Sequence, residues 1–293
     1  MIKLSHLYFR ILSKISPLWA VQSAHKFFHT PINSRRKNRN EKAVENAEKF
    51  LVPFDKNTSL QAYRWGKYGN PIVLLVHGWS TTSKSMTHFI DALLQENYQV
   101  ISYDALRHGE TKGQLSDLGN WAMSVRAMML AIGEVECIVA HSFGGAAVTV
   151  ASKLGLKTKK LLFLAPINNA KEIAERFGVT LGVPDFIVER MLSYTWENNK
   201  ETLAQFGKDW EEIFLSNFKV PTLIFHDKND KEIGIEHSKK LCKHWIWAEL
   251  RETENLGHRR ILDSEEVVKE SIKFIKEENE ETGYKNNRQN HKL

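Results

Sequence analysis

Cysteine is nearly missing from this sequence: Cys137 and Cys242 are the only two in 293 residues. Cys137 lies inside the apolar run "VECIVA", so both read as reduced thiols, a disulfide scaffold is excluded, and an intracellular chain is expected. No CxxC, HExxH or GxxxxGK[ST] pattern occurs, which leaves zinc and P-loop nucleotide chemistry without a motif to stand on. A nucleic-acid-binding core is also unsupported, because the positive charge is confined to one end. Residues 1–49 hold ten Lys and Arg against three Glu, and the remainder holds 31 basic against 32 acidic residues, so the overall charge of +6 does not describe the body. Recognition of nucleic acid would need its basic stripe on the folded surface.

What is present is a chain of ordinary globular composition, 42% hydrophobic and 26% charged, long enough to build a core without a metal or disulfide staple. The opening segment "MIKLSHLYFRILSKISPLWA" places Leu4, Tyr8, Ile11, Leu12, Ile15, Leu18 and Trp19 at helical spacing, with Lys3, Arg10 and Lys14 off that stripe. Charges interrupt it too often for a transmembrane span or a secretory signal core. The expectation is a helix whose apolar stripe packs on the protein's own body; the alternative is peripheral contact of residues 1–20 with an anionic membrane surface. "SRRKNRNEK" reads as a solvated linker, and residues 1–46 form the basic extension.

From residue 47 the pattern alternates strand and helix. "EKFLVPF" and "TSLQAYRW" read as a hairpin around "DKN", and "PIVLLVH" as a strand buried on both faces. The strands "YQVISYD", "CIVAH", "KKLLFLAP", "VPTLIFHD" and "WAELRET" follow, separated by helical patterns. A helical insertion at about 168–216, carrying Phe177, Phe186, Met191, Trp196, Phe206 and Trp210, reads as a cap over the body. The body spans 47–277, and 278–293 reads as a disordered polar tail. Two antiparallel strands followed by βα units predict an open, mainly parallel sheet with helices on both faces. Reactive groups in such sheets gather at the carboxyl ends of the strands.

Ser142 in "AHSFGG" meets that requirement, because it follows the strand "CIVA" and precedes the helical "GGAAVTVA". Strand–Ser–helix is the setting of a nucleophile elbow, where small residues such as Ala140 and Gly144 let strand and helix approach. A helix start with Ser142 as N-cap is the plainer alternative. A serine nucleophile needs a base; His258 in "NLGHRRIL" follows the last strand, in a loop from which it can reach back over the sheet. His77 and His226 end strands and read as loop supports, while His141 adjoins Ser142 in sequence and is expected to point away from it. The imidazole needs a carboxylate, and "IFHDKNDKEI" offers Asp227 and Asp230. Asp230, farther out on the loop, is the expected partner, with Asp227 left as the alternative. The oxyanion donors expected are the backbone N–H groups of Phe143 and of Trp79, the latter turned inward by His77-Gly78 in "VLLVHGWS".

"LLVHGWS", "DALRHGET", "AHSFGG", "HDKNDKEI" and "NLGHRRIL" together resemble the α/β-hydrolase family of bacterial type. More narrowly, the chain is similar to a subgroup of hydrolases with a basic amino-terminal helix, here ending near "FFHTPINSRRK". The resemblance covers nearly the whole chain. It implies an α/β-hydrolase fold, with a mainly parallel eight-stranded sheet and a small helical cap. It also implies a Ser142–Asp230–His258 triad with an oxyanion hole at Trp79 and Phe143, supported by His77, Gly78, His141 and Gly144. The chain departs from the common family pattern at Ala140 and Asp227, where Gly is usual. The expected function is a cofactor-free serine hydrolase of carboxylic esters, cytoplasmic or peripheral at the inner membrane face. Its expected substrate is a small acyl ester with an apolar group, not nucleic acid. Thioester, amide or lactone hydrolysis by the same residues, and a non-catalytic binding protein on this scaffold, are the alternatives. Dehalogenase chemistry is disfavoured because its nucleophile must be a carboxylate.

Overall fold

The computed structural model describes residues 2–31, 46–113, 116–214 and 219–277. The expected solvated linker and the expected polar tail lie largely or wholly outside them.

The strands are β1 (Glu48–Pro53), β2 (Ser59–Trp65), β3 (Ile72–Val76), β4 (Gln99–Tyr103), β5 (Val135–His141), β6 (Thr158–Leu164), β7 (Thr222–Asp227) and β8 (Ala248–Thr253). They form one eight-stranded sheet in the order β1-β2-β4-β3-β5-β6-β7-β8. β1 pairs antiparallel with β2 and β2 with β4, and every other neighbouring pair is parallel. This is the α/β-hydrolase fold.

Side-chain alternation sends each strand's residues to two separate cores. Leu74, Ile101, Ile138 and Phe163 face one side. There the sheet meets α4 (Leu118–Ile132), α5 (Phe143–Ala151) and α10 (Glu236–His244). Val73, Leu75, Val139 and Leu162 face the other side, covered by α3 (Thr87–Gln95) and α12 (Glu265–Lys276). The continuous apolar runs of β3 to β7 follow from this double covering, since neither face of the central strands meets water.

Between β6 and β7 the described residues insert a helical segment, called the cap below: α6 (Ala170–Leu181), α7 (Asp185–Asn198), α8 (Lys200–Leu203) and α9 (Trp210–Phe214). Asn169 caps α6, accepting from the N–H groups of Lys171 and Glu172. Leu203, Phe206, Ile213 and Phe214 tie the cap to the core on the α4–α5 side.

The amino-terminal segment differs from expectation in two ways. It is not one helix. The Ser16 side chain accepts from the Trp19 N–H and Pro17 opens a new helix, so α1 (Ile2–Ile15) ends and α2 (Pro17–Phe28) begins there. The hairpin does pack on the body, but of the expected stripe only Leu12 joins that contact, partly buried. Phe9, Ala20, Val21 and Ala24 are the buried residues, set against Ala174, Ile187, Val188 and Met191 of the cap. Burying a side chain such as Phe9 contributes about 1.5–3 kcal/mol, and the alanines let the helices approach. Leu4, Ile11, Ile15, Leu18 and Trp19 of the expected stripe instead face solvent. No helix among the described residues is long and apolar enough to cross a membrane.

Candidate active site

Ser142 stands between β5 and α5 with φ 53° and ψ −120°, in the positive-φ region that a residue with a side chain rarely adopts. Its N–H donates to Leu164 O at 2.9 Å and its carbonyl accepts from Gly145 N–H at 2.9 Å. The chain thus reverses from strand to helix within one residue. The crowding is backbone crowding. A Cβ on Gly144 would lie 2.4 Å from His77 O and 2.7 Å from Val76 O, so no side chain fits there. The Ser142 side chain makes no capping hydrogen bond to α5, which removes the plain N-cap alternative.

The hydroxyl bonds elsewhere. Ser142 Oγ lies 2.9 Å from His258 Nε2, and His258 Nδ1 lies 2.7 Å from Asp230 Oδ2. The contact with the carboxylate makes Nδ1 the protonated nitrogen, so Nε2 is free to accept the Ser142 proton. Ser142 and His258 are 5% and 8% exposed, so these bonds are shielded from competing water. His258 occupies a short helix, α11 (Gly257–Arg260), rather than the expected loop; Gly257, with φ +64°, makes the turn into it.

Asp230 Oδ1 accepts from the backbone N–H groups of Glu232 and Ile233 at 2.8 and 2.9 Å, and His226 Nε2 lies 3.5 Å from Oδ2. Burial opposes ionisation of this carboxyl, but the nearby His226 ring, the hydrogen bond from His258 and the Ile233 N–H outweigh it and hold Asp230 well below the usual carboxylate range. Asp227 does different work. It accepts from the N–H groups of Asn229 and Leu256 and from the Thr253 hydroxyl, at 2.9, 2.9 and 3.0 Å, tying the loops after β7 and β8 together. Of the two candidate acids, Asp230 is the one bonded to His258.

The loop after β3 runs against this chain. A Cβ on Gly78 would meet His141 Nδ1 at 2.7 Å and Ser142 Cβ at 3.2 Å, so the glycine admits the loop. Two neutral imidazoles hold it. His77 Nδ1 donates to Gly78 O at 2.8 Å while Nε2 accepts the Ala105 N–H at 3.0 Å. His108 Nδ1 donates to Leu106 O at 2.9 Å while Nε2 accepts the Ser80 N–H at 3.0 Å. Burial lowers His77 to about 4; burial and then the neighbouring His77 lower His108 to about 3. The Trp79 ring packs 5.3 Å from Phe143 and 6.1 Å from Trp121, which makes an aromatic wall beside Ser142. Phe143 opens α5, and a first-turn N–H has no acceptor within its own helix.

His141 does not point away from the site. Its ring lies 4.8 Å from that of His258, and its Nε2 donates to His258 O at 2.9 Å. Sequence reasoning passed over His108 and Asp104, and it read His226 only as a loop support. Asp104 accepts from Ser83 N–H and Oγ, from Glu110 N–H and from Tyr63 Oη, holding the loops after β3 and β4. The signal for Asp104 and His226 was their position at strand carboxyl ends. His108 had none beyond its place in "DALRHGET". Among the described residues no group of three or more His, Cys, Asp or Glu could hold a metal ion.

Solved structures share this architecture at low sequence identity. An esterase from Exiguobacterium antarcticum is 17% identical, with TM-score 0.60, covering 78% of this chain and 100% of its own. The esterase RhEst1 from Rhodococcus sp. ECU1013 is 18% identical, with TM-score 0.58, covering 78% and 98%. A crystallised putative lipase from Acinetobacter baumannii AYE is 18% identical, with TM-score 0.57, covering 89% and 95%. No curated protein matches the sequence. A family model does, over residues 73–270, the stretch that runs from β3 into α12 and contains Ser142, Asp230 and His258. The chain belongs to the alpha/beta hydrolase family.

Proposed function

We propose that this protein is a serine hydrolase of carboxylic esters, with Ser142 as nucleophile, His258 as general base and acid, and Asp230 as the group that orients His258. The observation that carries the reading is the unbroken chain Ser142 Oγ–His258 Nε2 and His258 Nδ1–Asp230 Oδ2, at 2.9 and 2.7 Å. Its strained turn projects the hydroxyl from the carboxyl end of β5.

Ser142 Oγ attacks the ester carbonyl carbon while His258 Nε2 takes the hydroxyl proton, and the carbonyl π electrons move onto oxygen. Asp230, held ionised, stabilises the imidazolium. The backbone N–H groups of Phe143 and Trp79 are assigned to the oxyanion, where each such donor contributes about 2.7–4 kcal/mol of transition-state stabilisation. Collapse breaks the bond to the alcohol, which leaves with the proton from His258 Nε2. Water then adds to the acyl-enzyme by the same path and releases the acid. The partly exposed rings of Trp79 and Phe143, backed by the fully buried Trp121, favour an apolar group next to the scissile bond. The chemistry asks for no cofactor.

A fluorophosphonate probe tests the assignment, because it phosphonylates only an activated serine. The expected result is a single labelled peptide containing Ser142, with labelling abolished by Ser142→Ala. A labelled serine elsewhere, or no labelling of folded protein, overturns it.

A further inference from the structure

Helix α1 presents its faces in an order that packing alone does not call for. Phe9 turns inward to the cap, and Ser13 is buried as well. Leu4, Ile11 and Ile15 lie in water, 72%, 49% and 72% exposed, and the row continues onto α2 through Leu18 and Trp19 at 60% and 61%. Of the fourteen exposed large apolar side chains among the described residues, eight belong to this hairpin and two more, Val179 and Phe186, to the adjoining ends of α6 and α7. Exposed apolar side chains scattered singly need no explanation, but a contiguous patch marks a surface that meets something.

Charge identifies the occupant. Residues 1–40 contain eight Lys and Arg and no Asp or Glu. Lys3, Arg10 and Lys14 follow one edge of the apolar row, lining with His6 an open groove of about 750 Å³ between α1 and the start of α7; Asp185 is its one acid. Lys26 stands on the other edge, beside Tyr8 and Trp19. An apolar row flanked by cations on both sides matches hydrocarbon below and phosphates around it. A second copy of the chain would bring those cations against cations. At about 1.5 Å per residue, α1 is about 21 Å long, a length suited to lying in an interface and too short to span one.

We propose that the α1–α2 hairpin, with Val179 and Phe186, docks the protein on an anionic lipid bilayer. In that pose α1 lies in the plane of the interface, its apolar row reaches the acyl boundary, and Lys3, Arg10, Lys14 and Lys26 meet the headgroup phosphates. The surface is separate from Ser142, and the proposal stands whether or not the hydrolase assignment holds.

Co-sedimentation of the full chain with vesicles tests it, using phosphatidylcholine alone and phosphatidylcholine mixed with phosphatidylglycerol. Binding to the mixed vesicles is expected, with a blue shift of Trp19 fluorescence, and it should weaken as salt rises to about 0.5 M. Ile11→Asp/Ile15→Asp should reduce binding at least about tenfold. Lys3→Glu/Arg10→Glu/Lys14→Glu should reduce the preference for anionic vesicles by about fivefold or more per charge reversed. Leu130→Asp, at a site on α4 that is 72% exposed, should bind as wild type. Thermal melts like that of wild type show that each variant is folded. Wild-type protein left in the supernatant with both vesicles overturns the proposal, as does undiminished binding by Ile11→Asp/Ile15→Asp. So does a dimer that this variant abolishes in protein that ignores vesicles, since a second copy would then cover the face.

Discussion

His141 and His258 are 117 residues apart in sequence, yet the Nε2 of the first holds the backbone carbonyl of the second at 2.9 Å and their rings pack at 4.8 Å. Burial, then the neighbouring His258, lowers the His141 pKa to about 3, so His141 is a neutral donor at any working pH. It is a positioning residue for the assigned base. His141→Ala should lower kcat about tenfold to a hundredfold with little change in KM, since a small misplacement of a reacting group is costly. His141→Gln, which keeps an N–H in reach of that carbonyl, should recover much of the loss. Steady-state kinetics on a short p-nitrophenyl ester decides it; equal defects in both variants would count against positioning through that bond.

The two aspartates after β7 should separate cleanly. Asp230→Asn keeps the shape but loses the charge and the tautomer control at His258, so kcat should fall about 10³–10⁴-fold with stability little altered. Asp227→Ala removes the acceptor for Leu256 N–H, Asn229 N–H and Thr253 Oγ1. It should lower unfolding stability by about 1–3 kcal/mol and reduce activity far less. Urea melts and kinetics on the same preparations check both; a larger kcat loss in Asp227→Ala than in Asp230→Asn would reverse the assignment.

Much of this site was legible because each group leaves a strand end. Ser142 follows β5, Asp230 follows β7 and His258 follows β8, and an open parallel sheet brings those ends to one rim whatever lies between. The choice of Asp230 over Asp227 could be read from its position farther along the loop. The turn of His141 toward His258 could not, because a backbone-to-side-chain bond across that separation leaves no local pattern. Helical periodicity identified an apolar row on residues 4–19 but not the direction it faces. That was set by Phe9 and by small residues, Ala20 and Ala24, which a hydrophobic pattern weighs lightly although they permit the closest packing. Ser16-Pro17 carried a readable cap signal for the break between α1 and α2, and the continuous apolar spacing across it concealed the break.

The elbow should tolerate change on its strand side and refuse it on its helix side. Gly144→Ala places a Cβ against two backbone carbonyls, His77 O and Val76 O, neither of which can move without shifting β3. It should cost about 1–3 kcal/mol or more and reduce kcat. Ala140→Gly restores the commoner family residue at a fully buried strand position. It should retain activity while costing about 0.5–1 kcal/mol. Thermal melts with parallel kinetics test the pair, and a fully active, wild-type-stable Gly144→Ala would show that the turn is not closed by backbone contact.

Acid should unfold this protein earlier than its carboxylates alone would require. Five imidazoles are held neutral. Burial lowers His77 and His29 to about 4. Burial and then a neighbouring histidine lower His25 to about 4 and His108 and His141 to about 3. In the unfolded chain each binds a proton near the ordinary value of 6.5. Between about 6.5 and about 4 the unfolded state therefore holds more protons, and stability falls as pH falls. Each group contributes a slope of up to about 1.4 kcal/mol per pH unit. Asp117 opposes them near the acid end, because burial raises its carboxyl above 3.8. The expected outcome is a urea midpoint that is level above pH 7 and declines steadily below about 6.5. The slope should be shallower by about one histidine's share in His141→Gln. A midpoint unchanged between pH 7 and 5 would show that these rings take up protons in the folded state, and that the loops they wedge are open to water.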